Sequence, residues 1–228
     1  MSEDAVARST NRCPPALDAA MRLIVVTAAD VNKPGALLTT WERATPAAAW
    51  TPVGALREAV VGLNGLAWGV AFRHLAKPGE PLKQEGDKRS PIGIYPLGAS
   101  FGFDASARPG HVALEKDRHI CVEDVRSPHY GRVVERSAIA DGIKFDQMRA
   151  EPLYRSGLFV DYPPDAAVKG GSCIFVHVWR KPGQGTAGCV ALDEKDVTGL
   201  QDWASAGPTA IAIVSKQVAS RFAGCLPP

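Results

Sequence analysis

Short apolar runs separated by turn residues recur along the chain, and they predict a fold rich in β-strands. The runs favour strands at 22–27, 37–43, 119–125, 157–162, 173–179 and 209–215. Within 59–69, two more apolar stretches flank Asn64-Gly65, a dipeptide typical of a tight hairpin turn. The 22 Gly and 18 Pro are spread through the sequence, as many short strands and turns require.

Helical periodicity is less frequent. It predicts one helix within 192–205, with Asp193 as N-cap, and a second over 142–155. The side chains expected to face inward are Val197, Leu200 and Trp203 in the first helix, and Phe145, Met148 and Leu153 in the second. These patterns together predict a β-dominated α+β fold.

The length of 228 residues fits one domain that can bury its own core. We expect residues 1–228 to form this domain, with a core at about 59–215 and the strands of 22–58 packed on it. The 26 Lys and Arg and 24 Asp and Glu leave a net charge of +2, which gives no electrostatic reason to expect nucleic acid or a membrane surface. The oligomeric state cannot be read from this pattern.

The first residues of the sequence, "MSEDAVARSTNRCPPALDAAM", contain no charged segment followed by an apolar stretch. We therefore expect no signal peptide in this sequence. A secreted protein whose leader had been removed would begin in the same way. No apolar run approaches the roughly 20 residues of a membrane-spanning helix.

The sequence has five cysteines, and an odd number suggests one thiol with its own task beside two pairs. The alternative is that they are buried as small apolar residues. None of their spacings fits a C-x-x-C zinc site, no His, Asp and Glu cluster has metal-ligand spacing, and no phosphate-binding loop is present. We predict no metal and no cofactor.

The strand 173–179 contains the first candidate for chemistry. Alternation places Cys173, Phe175, His177 and Trp179 on one face. His177 is then a polar residue in an apolar strand, either satisfied by a carbonyl or catalytic. Cys173 shares its face but lies four residues away, roughly 13 Å along a strand, which makes it a poor nucleophile for this histidine.

Cys189 is the better candidate nucleophile, twelve residues after His177. The intervening loop is rich in Gly and Pro and can reverse the chain, bringing the thiol beside the imidazole. A histidine partner can lower the pKa of such a thiol by several units. The amides of Gly188 and Cys189 would face a developing oxyanion, and Thr186 would bind the turn or the substrate. The alternative is a glycine turn that ends in a buried cysteine.

Four motifs carry a resemblance to a known family. "FVHVW…TAGCVAL" resembles the active-site signature of the L,D-transpeptidase (YkuD-type) catalytic domain, and "EGDKRSPIGIYPLG" (85–98) is similar to a strand and turn of that family. "CVEDVRSPHYGRVV" (121–134) and "GGSCIFVHVW" (170–179) resemble a proteobacterial branch. The resemblance covers roughly 59–215. It implies a β-sandwich-like fold with flanking helices.

The resemblance also implies a function. Members act on peptidoglycan stem peptides in the periplasm or cell envelope and are acylated by carbapenems. Carried onto this chain, Cys189 is the nucleophile and His177 the general acid and base. The carbonyl of Val178 would orient the imidazole, and the amides of Gly188 and Cys189 would form the oxyanion hole. The residues implied around the substrate are Thr186, Ala187, Arg180 and Trp179.

Two positions depart from the family pattern. Ala187 and Ala191 stand where many members have basic residues. Arg180 or Lys181 could take over the task of holding the substrate, and the acyl acceptor could differ, giving a 1–3 in place of a 3–3 cross-link. A hydrolase with the same dyad and a non-catalytic wall-binding domain remain alternatives.

An oxidising compartment would favour disulfides. Four cysteines would then pair and leave Cys189 free. Cys13 and Cys225 lie near the two ends of the sequence, which are often close in one domain. Cys121 and Cys173 lie in separate predicted strands that could be neighbours.

Overall fold

The computed structural model describes residues 13–222 and 224–228, and strands dominate this part of the chain. The strands are β1 (Arg22–Ala28), β2 (Gly35–Glu42), β3 (Thr51–Val60), β4 (Leu66–Trp68), β5 (Ser90–Gly102), β6 (Val112–Ala113), β7 (His119–Val122), β8 (Val133–Glu135), β9 (Phe145–Gln147), β10 (Ser156–Val160), β11 (Phe175–Val178), β12 (Val190–Leu192) and β13 (Thr209–Ser215). The helix α1 spans Glu194–Ala204, and short 3₁₀ helices lie at Pro15–Leu17, Val70–Leu75, Arg136–Ala138, Met148–Ala150, Pro152–Arg155 and Ala219–Phe222. The predicted β-dominated α+β class is confirmed.

One large sheet forms the body of the protein. Its strands follow the order β10-β11-β12-β3-β2-β1-β13-β5-β4, with β6 beside β5. Because β10 also pairs with β5, the sheet curls round and its two halves face each other, as in a sandwich. Leu23, Ile24, Leu38, Ile92 and Ile211 are fully buried in the core that these halves share.

The predicted strands are largely present. β1, β2, β7, β10, β11 and β13 lie at the apolar runs that predicted them. β1 and β13, both continuous apolar runs, pair in parallel at the centre of the sheet, with Ile24 opposite Ile211. Unbroken apolar runs are typical of strands that are buried on both faces.

The hairpin predicted within 59–69 is wrong, although its turn exists. Gly65 N–H donates to the Gly62 carbonyl at 2.7 Å, which closes a turn around Leu63-Asn64. The flanking strands then part: β3 pairs with β2 and β12, and β4 pairs with β5. A turn dipeptide fixes the local bend, but pairing goes to the neighbours that bury more apolar surface.

The helix predicted over 142–155 is also wrong. That stretch contains β9 and two 3₁₀ helices. Pro152 lacks an N–H and disfavours helical backbone at Glu151, so the two 3₁₀ helices end and begin there. Met148 is fully buried as predicted, whereas Phe145 and Leu153 are half-buried.

The other predicted helix is confirmed as α1. Asp193 is its N-cap, and the side chain accepts from Lys195 N–H at 3.0 Å. Buried Gln201 donates to the carbonyls of Phe101 and Gly157 at 2.9 and 2.8 Å. These bonds fix α1 against β5 and β10, directly after the strand that follows Cys189.

A second, three-stranded sheet of order β8-β7-β9 stands beside the main one. The disulfide Cys121–Cys173 joins β7 to the segment before β11. A second disulfide joins Cys13 to Cys225. Both predicted pairings are confirmed, and Cys189 is the free cysteine of the described residues.

No helix among residues 13–222 and 224–228 has the length and apolarity that crossing a bilayer requires. Within the same residues, no group of three or more His, Cys, Asp or Glu is placed to hold a metal ion. The expectation that the sequence has no signal peptide concerns 1–21, and its first twelve residues lie outside the described part.

Candidate active site

Strand pairing brings His177 and Cys189 together. β11 and β12 run in parallel, with His177 opposite Ala191. Cys189 precedes β12 by one residue, so it shares a face with Ala191 and therefore with His177. One strand spacing and a two-residue offset separate the two Cα atoms by about 8 Å. Among the described residues no hydrogen bond joins the thiol to the imidazole, because the thiol donates to the Cys173 carbonyl instead.

The loop between His177 and Cys189 connects two parallel strands and is held by hydrogen bonds to another segment. Because the two strands are parallel, residues 179–189 leave the end of β11 and return to the start of β12. The segment 61–63 holds the returning half: Thr186 N–H donates to the Val61 carbonyl at 2.9 Å, and Leu63 N–H donates to the Thr186 carbonyl at 2.8 Å. Cys189 thus stands on a tethered stretch of loop.

His177 and Cys189 open into one cavity of about 290 Å³. All four residues that the family resemblance places around the substrate line it too. The full lining is Glu151, Leu153, Tyr154, His177, Trp179, Arg180, Gln184, Gly185, Thr186, Ala187 and Cys189. Arg180 and Ala187 are exposed at its mouth, whereas Trp179 and Thr186 are half-buried.

Two neighbours hold the imidazole of His177. Nδ1 lies 2.8 Å from the Val178 carbonyl oxygen, the contact expected from the family pattern. A proton on Nδ1 makes this a hydrogen bond and leaves Nε2 as the acceptor. The edge of the Tyr154 ring packs on the imidazole with centroids 5.3 Å apart. Burial lowers the pKa of His177 to about 4, so the ring is neutral at physiological pH.

The Cys189 thiol is also buried and neutral. It donates to the Cys173 carbonyl at 3.3 Å. Burial raises the pKa of Cys189 to about 12, and a hydrogen bond from the Phe175 backbone and the nearby Lys83 ammonium oppose this only in part. The expectation that histidine lowers the pKa of this thiol is therefore wrong for the resting protein. An apolar site disfavours both charges of a thiolate–imidazolium pair, and the dyad rests as thiol and imidazole.

Thr186 organises the turn before Cys189. Its hydroxyl donates to the Cys189 carbonyl at 2.6 Å and accepts from Gly188 N–H at 3.1 Å. The Gly188 amide is thus engaged within its own loop and is not the free oxyanion donor expected from the sequence. Of the two expected donors, the Cys189 amide remains for the substrate.

Gly188 itself is required by the backbone. Its φ of +154° is one that L side chains rarely adopt, and a Cβ there would lie 3.3 Å from the Arg89 carbonyl oxygen. Ser90, the residue after Arg89, donates from its hydroxyl to the Cys189 carbonyl at 3.1 Å and accepts from Gly62 N–H at 2.9 Å. The Cys189 carbonyl therefore has two hydroxyl donors that fix its peptide plane.

Sequence reasoning missed several residues of the site. Tyr154 lies in a stretch assigned to a helix, and its hydroxyl donates to Asp146 at 2.9 Å. Burial is the main cause that raises the pKa of Asp146. Glu151 lines the cavity, and Lys83 is fully buried with its ammonium 2.6 Å from Asp87. No motif marks these positions, because each comes to the site from a distant part of the chain.

With this geometry in view, the family model described as YkuD, L,D-transpeptidase catalytic domain, matches residues 27–213. The chain belongs to this family. The YkuD match includes the strands from the end of β1 to β13, a longer stretch than the motifs alone covered.

Two crystal structures of the helical cell shape determining protein Pgp2 from Campylobacter jejuni are distant matches to this YkuD chain. A point mutant shares 16% identity over 90% of this chain and 53% of that chain, with a TM-score of 0.45. The unmutated protein shares 18% identity over 86% and 48%, with a TM-score of 0.39. This chain therefore spans about half the length of these structures. No curated protein matches it.

Proposed function

We propose that this chain is a cysteine-dependent L,D-transpeptidase that cross-links peptidoglycan in the periplasm or cell envelope. Residues 1–228 would form one catalytic domain, with a core at about 59–215 and the strands of 22–58 packed on it. The observation that carries the proposal is the parallel register that places Cys189 and His177 on one face, open to one cavity. Two disulfides agree with an oxidising compartment.

In the acylation step, the thiol of Cys189 attacks the carbonyl carbon at the L-centre of diaminopimelate in a tetrapeptide stem. Nε2 of His177 takes the thiol proton as the sulfur–carbon bond forms. The carbonyl oxygen becomes an oxyanion that the Cys189 amide can bind. His177 then gives the proton to the leaving nitrogen, D-Ala departs, and a thioester remains on Cys189.

In the second step, an amine of another stem attacks the thioester carbon. His177 accepts a proton from the amine nitrogen and returns it to the departing sulfur, which restores the thiol. The products are a peptide cross-link and the resting enzyme. A neutral dyad suits this cycle, because each step begins and ends with thiol and imidazole, and charge develops only during the transfer.

The two alanines bear on the acceptor. Ala187 is exposed in the cavity, and Ala191 is fully buried beside His177 and Val60. Because both are alanines, neither position supplies the cation that many family members have there. Guanidinium–carboxylate pairing is bidentate and directional, and alanine cannot replace it. We therefore propose that Arg180 anchors the stem peptide. The acceptor can then be the α-amine of L-Ala, which gives a 1–3 cross-link, as well as the diaminopimelate amine of a 3–3 link.

The experiment that tests the dyad is intact-protein mass spectrometry after exposure to a carbapenem, which acylates this family as a substrate mimic. We expect one adduct per chain in the wild type and none in Cys189→Ala. His177→Ala should also be acylated much more slowly, because the effects of residues that act as a unit are not additive and loss of either one removes most of the rate enhancement. Melting curves of both variants control for folding. A wild-type protein that forms no adduct would contradict the proposal and favour the alternative, a non-catalytic wall-binding domain.

The reaction products distinguish a transpeptidase from a hydrolase with the same dyad. Purified protein is incubated with a tetrapeptide stem, with and without an added amine acceptor, and the muropeptides are analysed by tandem mass spectrometry. Dimers that appear only with acceptor identify a transpeptidase, whereas tripeptide alone in both reactions identifies a hydrolase. Exclusively 3–3 dimers would refute the altered acceptor and retain the transpeptidase.

A further inference from the structure

A second cavity adjoins the catalytic one. It measures about 560 Å³ and lies on the outer face of β1, β2 and β3. Trp179 lines both cavities, and Gly183 of the loop between His177 and Cys189 lines the outer one. We call this outer cavity the β1–β3 groove. Its remaining lining is Thr27, Ala29, Gly35, Ala36, Leu37, Thr39, Leu56, Glu58, Ala59, Val60 and Lys216.

Strand register explains the shape of the groove. Thr27, Leu37 and Glu58 are direct cross-strand neighbours on β1, β2 and β3. Small residues, among them Ala29 and Gly35, leave space between the larger side chains of the lining. Leu37 and Leu56 are 42% and 60% exposed. An open sheet face that displays large apolar side chains beside a catalytic cavity is typical of a surface that binds a ligand.

The groove also contains one charge of each sign. Glu58 lies on β3 and is level with Val214 on β13, and Lys216 follows two residues later. Three strand spacings and this offset separate Glu58 from Lys216 by about 16 Å. Within the described part of the chain, neither residue belongs to a salt bridge. A ligand that carries both an ammonium and a carboxylate group can satisfy both.

The catalytic cavity has room for one ligand. Its volume of about 290 Å³ lies just below the roughly 300–1,000 Å³ of pockets that hold a single drug-sized molecule. A transpeptidase must hold two stem peptides, a donor on the nucleophile and an acceptor whose amine reaches the thioester. The acceptor therefore requires a binding site of its own that opens toward Cys189.

We propose that the β1–β3 groove binds the acyl acceptor, a second stem peptide in extended conformation; this inference rests on the proposed transpeptidase function. Four extended residues span about 13 Å, and the side chains of Glu58 and Lys216 can reach inward over the remaining few ångströms of their separation. A stem-peptide carboxylate pairs with Lys216, an ammonium pairs with Glu58, and the alanine methyl groups lie on Leu56. The attacking amine passes Trp179 to reach the thioester.

The test separates the two half-reactions. The variants are Leu56→Ser and Glu58→Lys, with Leu82→Ser as matched control, since Leu82 is a similarly exposed leucine outside both cavities. For each protein, the rate of carbapenem acylation is measured by mass spectrometry. Dimer formation is then measured against acceptor concentration, using a free stem peptide as the probe.

We expect both groove variants to acylate at the wild-type rate. Their acceptor KM should rise at least tenfold, and more of the thioester should be hydrolysed at a given acceptor concentration. The control should match the wild type. If wild-type protein forms dimers and the groove variants form them at the same acceptor KM, the groove is not the acceptor site. A stem peptide linked to its disaccharide serves as a second probe. If the groove variants raise the KM of this probe but not that of the free stem peptide, the groove binds the sugar chain and the proposal is overturned. A wild type that forms no dimer is a failure of the proposed function instead.

Discussion

The buried thiol leads to a prediction about reactivity. A free cysteine has a pKa of 9.0, whereas burial raises the pKa of Cys189 to about 12. At pH 8 the thiolate fraction falls from about one in ten to about one in ten thousand, roughly a thousandfold. The thiolate is the form that alkylating reagents attack. Cys189 in the folded protein should therefore react with iodoacetamide about a thousand times more slowly than in the unfolded chain.

The assay is simple because the other four cysteines are in disulfides. Native and guanidinium-unfolded protein, neither of them reduced, are incubated with iodoacetamide at several pH values. The mass increase of the intact chain is followed with time, and at most one adduct is expected. Steric shielding would slow alkylation at every pH by one factor, so the pH dependence carries the information. For the native protein, the logarithm of the rate should rise with unit slope through pH 10 without a plateau.

A plateau that begins below pH 7 would refute this reasoning. It would mean that Cys189 is already a thiolate beside an imidazolium, as in papain-type sites. A His177→Ala variant then distinguishes the cases further. With a neutral dyad its alkylation profile should resemble that of the wild type, whereas with an ion pair the plateau should disappear.

Four further predictions follow from the same contacts. The free energy of unfolding should decrease by about 3 kcal/mol as pH falls from 6.5 toward 4, because His177 is protonated in the unfolded state before it is in the folded state. It should also decrease above pH 9, because Cys189 loses its proton first in the unfolded state. Denaturant unfolding at several pH values measures both effects. Thr186→Val should slow carbapenem acylation roughly tenfold or more, since it removes two hydrogen bonds worth about 1 kcal/mol each, whereas Thr186→Ser should remain close to wild type. The double variant Cys121→Ser, Cys173→Ser should lose about 4 kcal/mol of stability in urea and still form the carbapenem adduct on Cys189; an adduct lost from a folded double variant would contradict the assignment of the nucleophile. Arg180→Ala should lower kcat/KM for a stem peptide by about 10- to 150-fold, the loss of a charge-assisted hydrogen bond of about 1.5–3 kcal/mol, while Lys181→Ala, outside the cavity lining, should change it little.

Local patterns predicted much of the fold. Continuous apolar runs found β1 and β13, and helical spacing with an Asp193 cap found α1. The cysteine count and the positions of Cys13 and Cys225 led to the right disulfides. These features depend on residues close in sequence or on simple pairing logic, and they need no knowledge of which strands meet.

What the sequence left open depends on packing. The parallel register of β11 and β12 depends on the pairing of the whole sheet. The glycines and prolines of the loop between them showed only that the chain can reverse there, not which strands pair. The pKa of Cys189 depends on burial among side chains from several elements, including Tyr154 from the stretch wrongly assigned to a helix. The engagement of Gly188 by Thr186 requires the exact turn, which a Ser/Thr-x-Gly-Cys pattern does not specify.

The pair Cys13–Cys225 has a topological consequence. It closes residues 13–225 into a covalent ring, and Cys121–Cys173 divides that ring with a crossbar. One proteolytic cut anywhere in the ring opens a loop but releases no fragment. Two cuts also leave one molecule, provided that one falls within 121–173 and the other outside it. A molecule nicked in this way keeps all its strands covalently together, and non-reducing gels of protease-treated protein would display it as a single band.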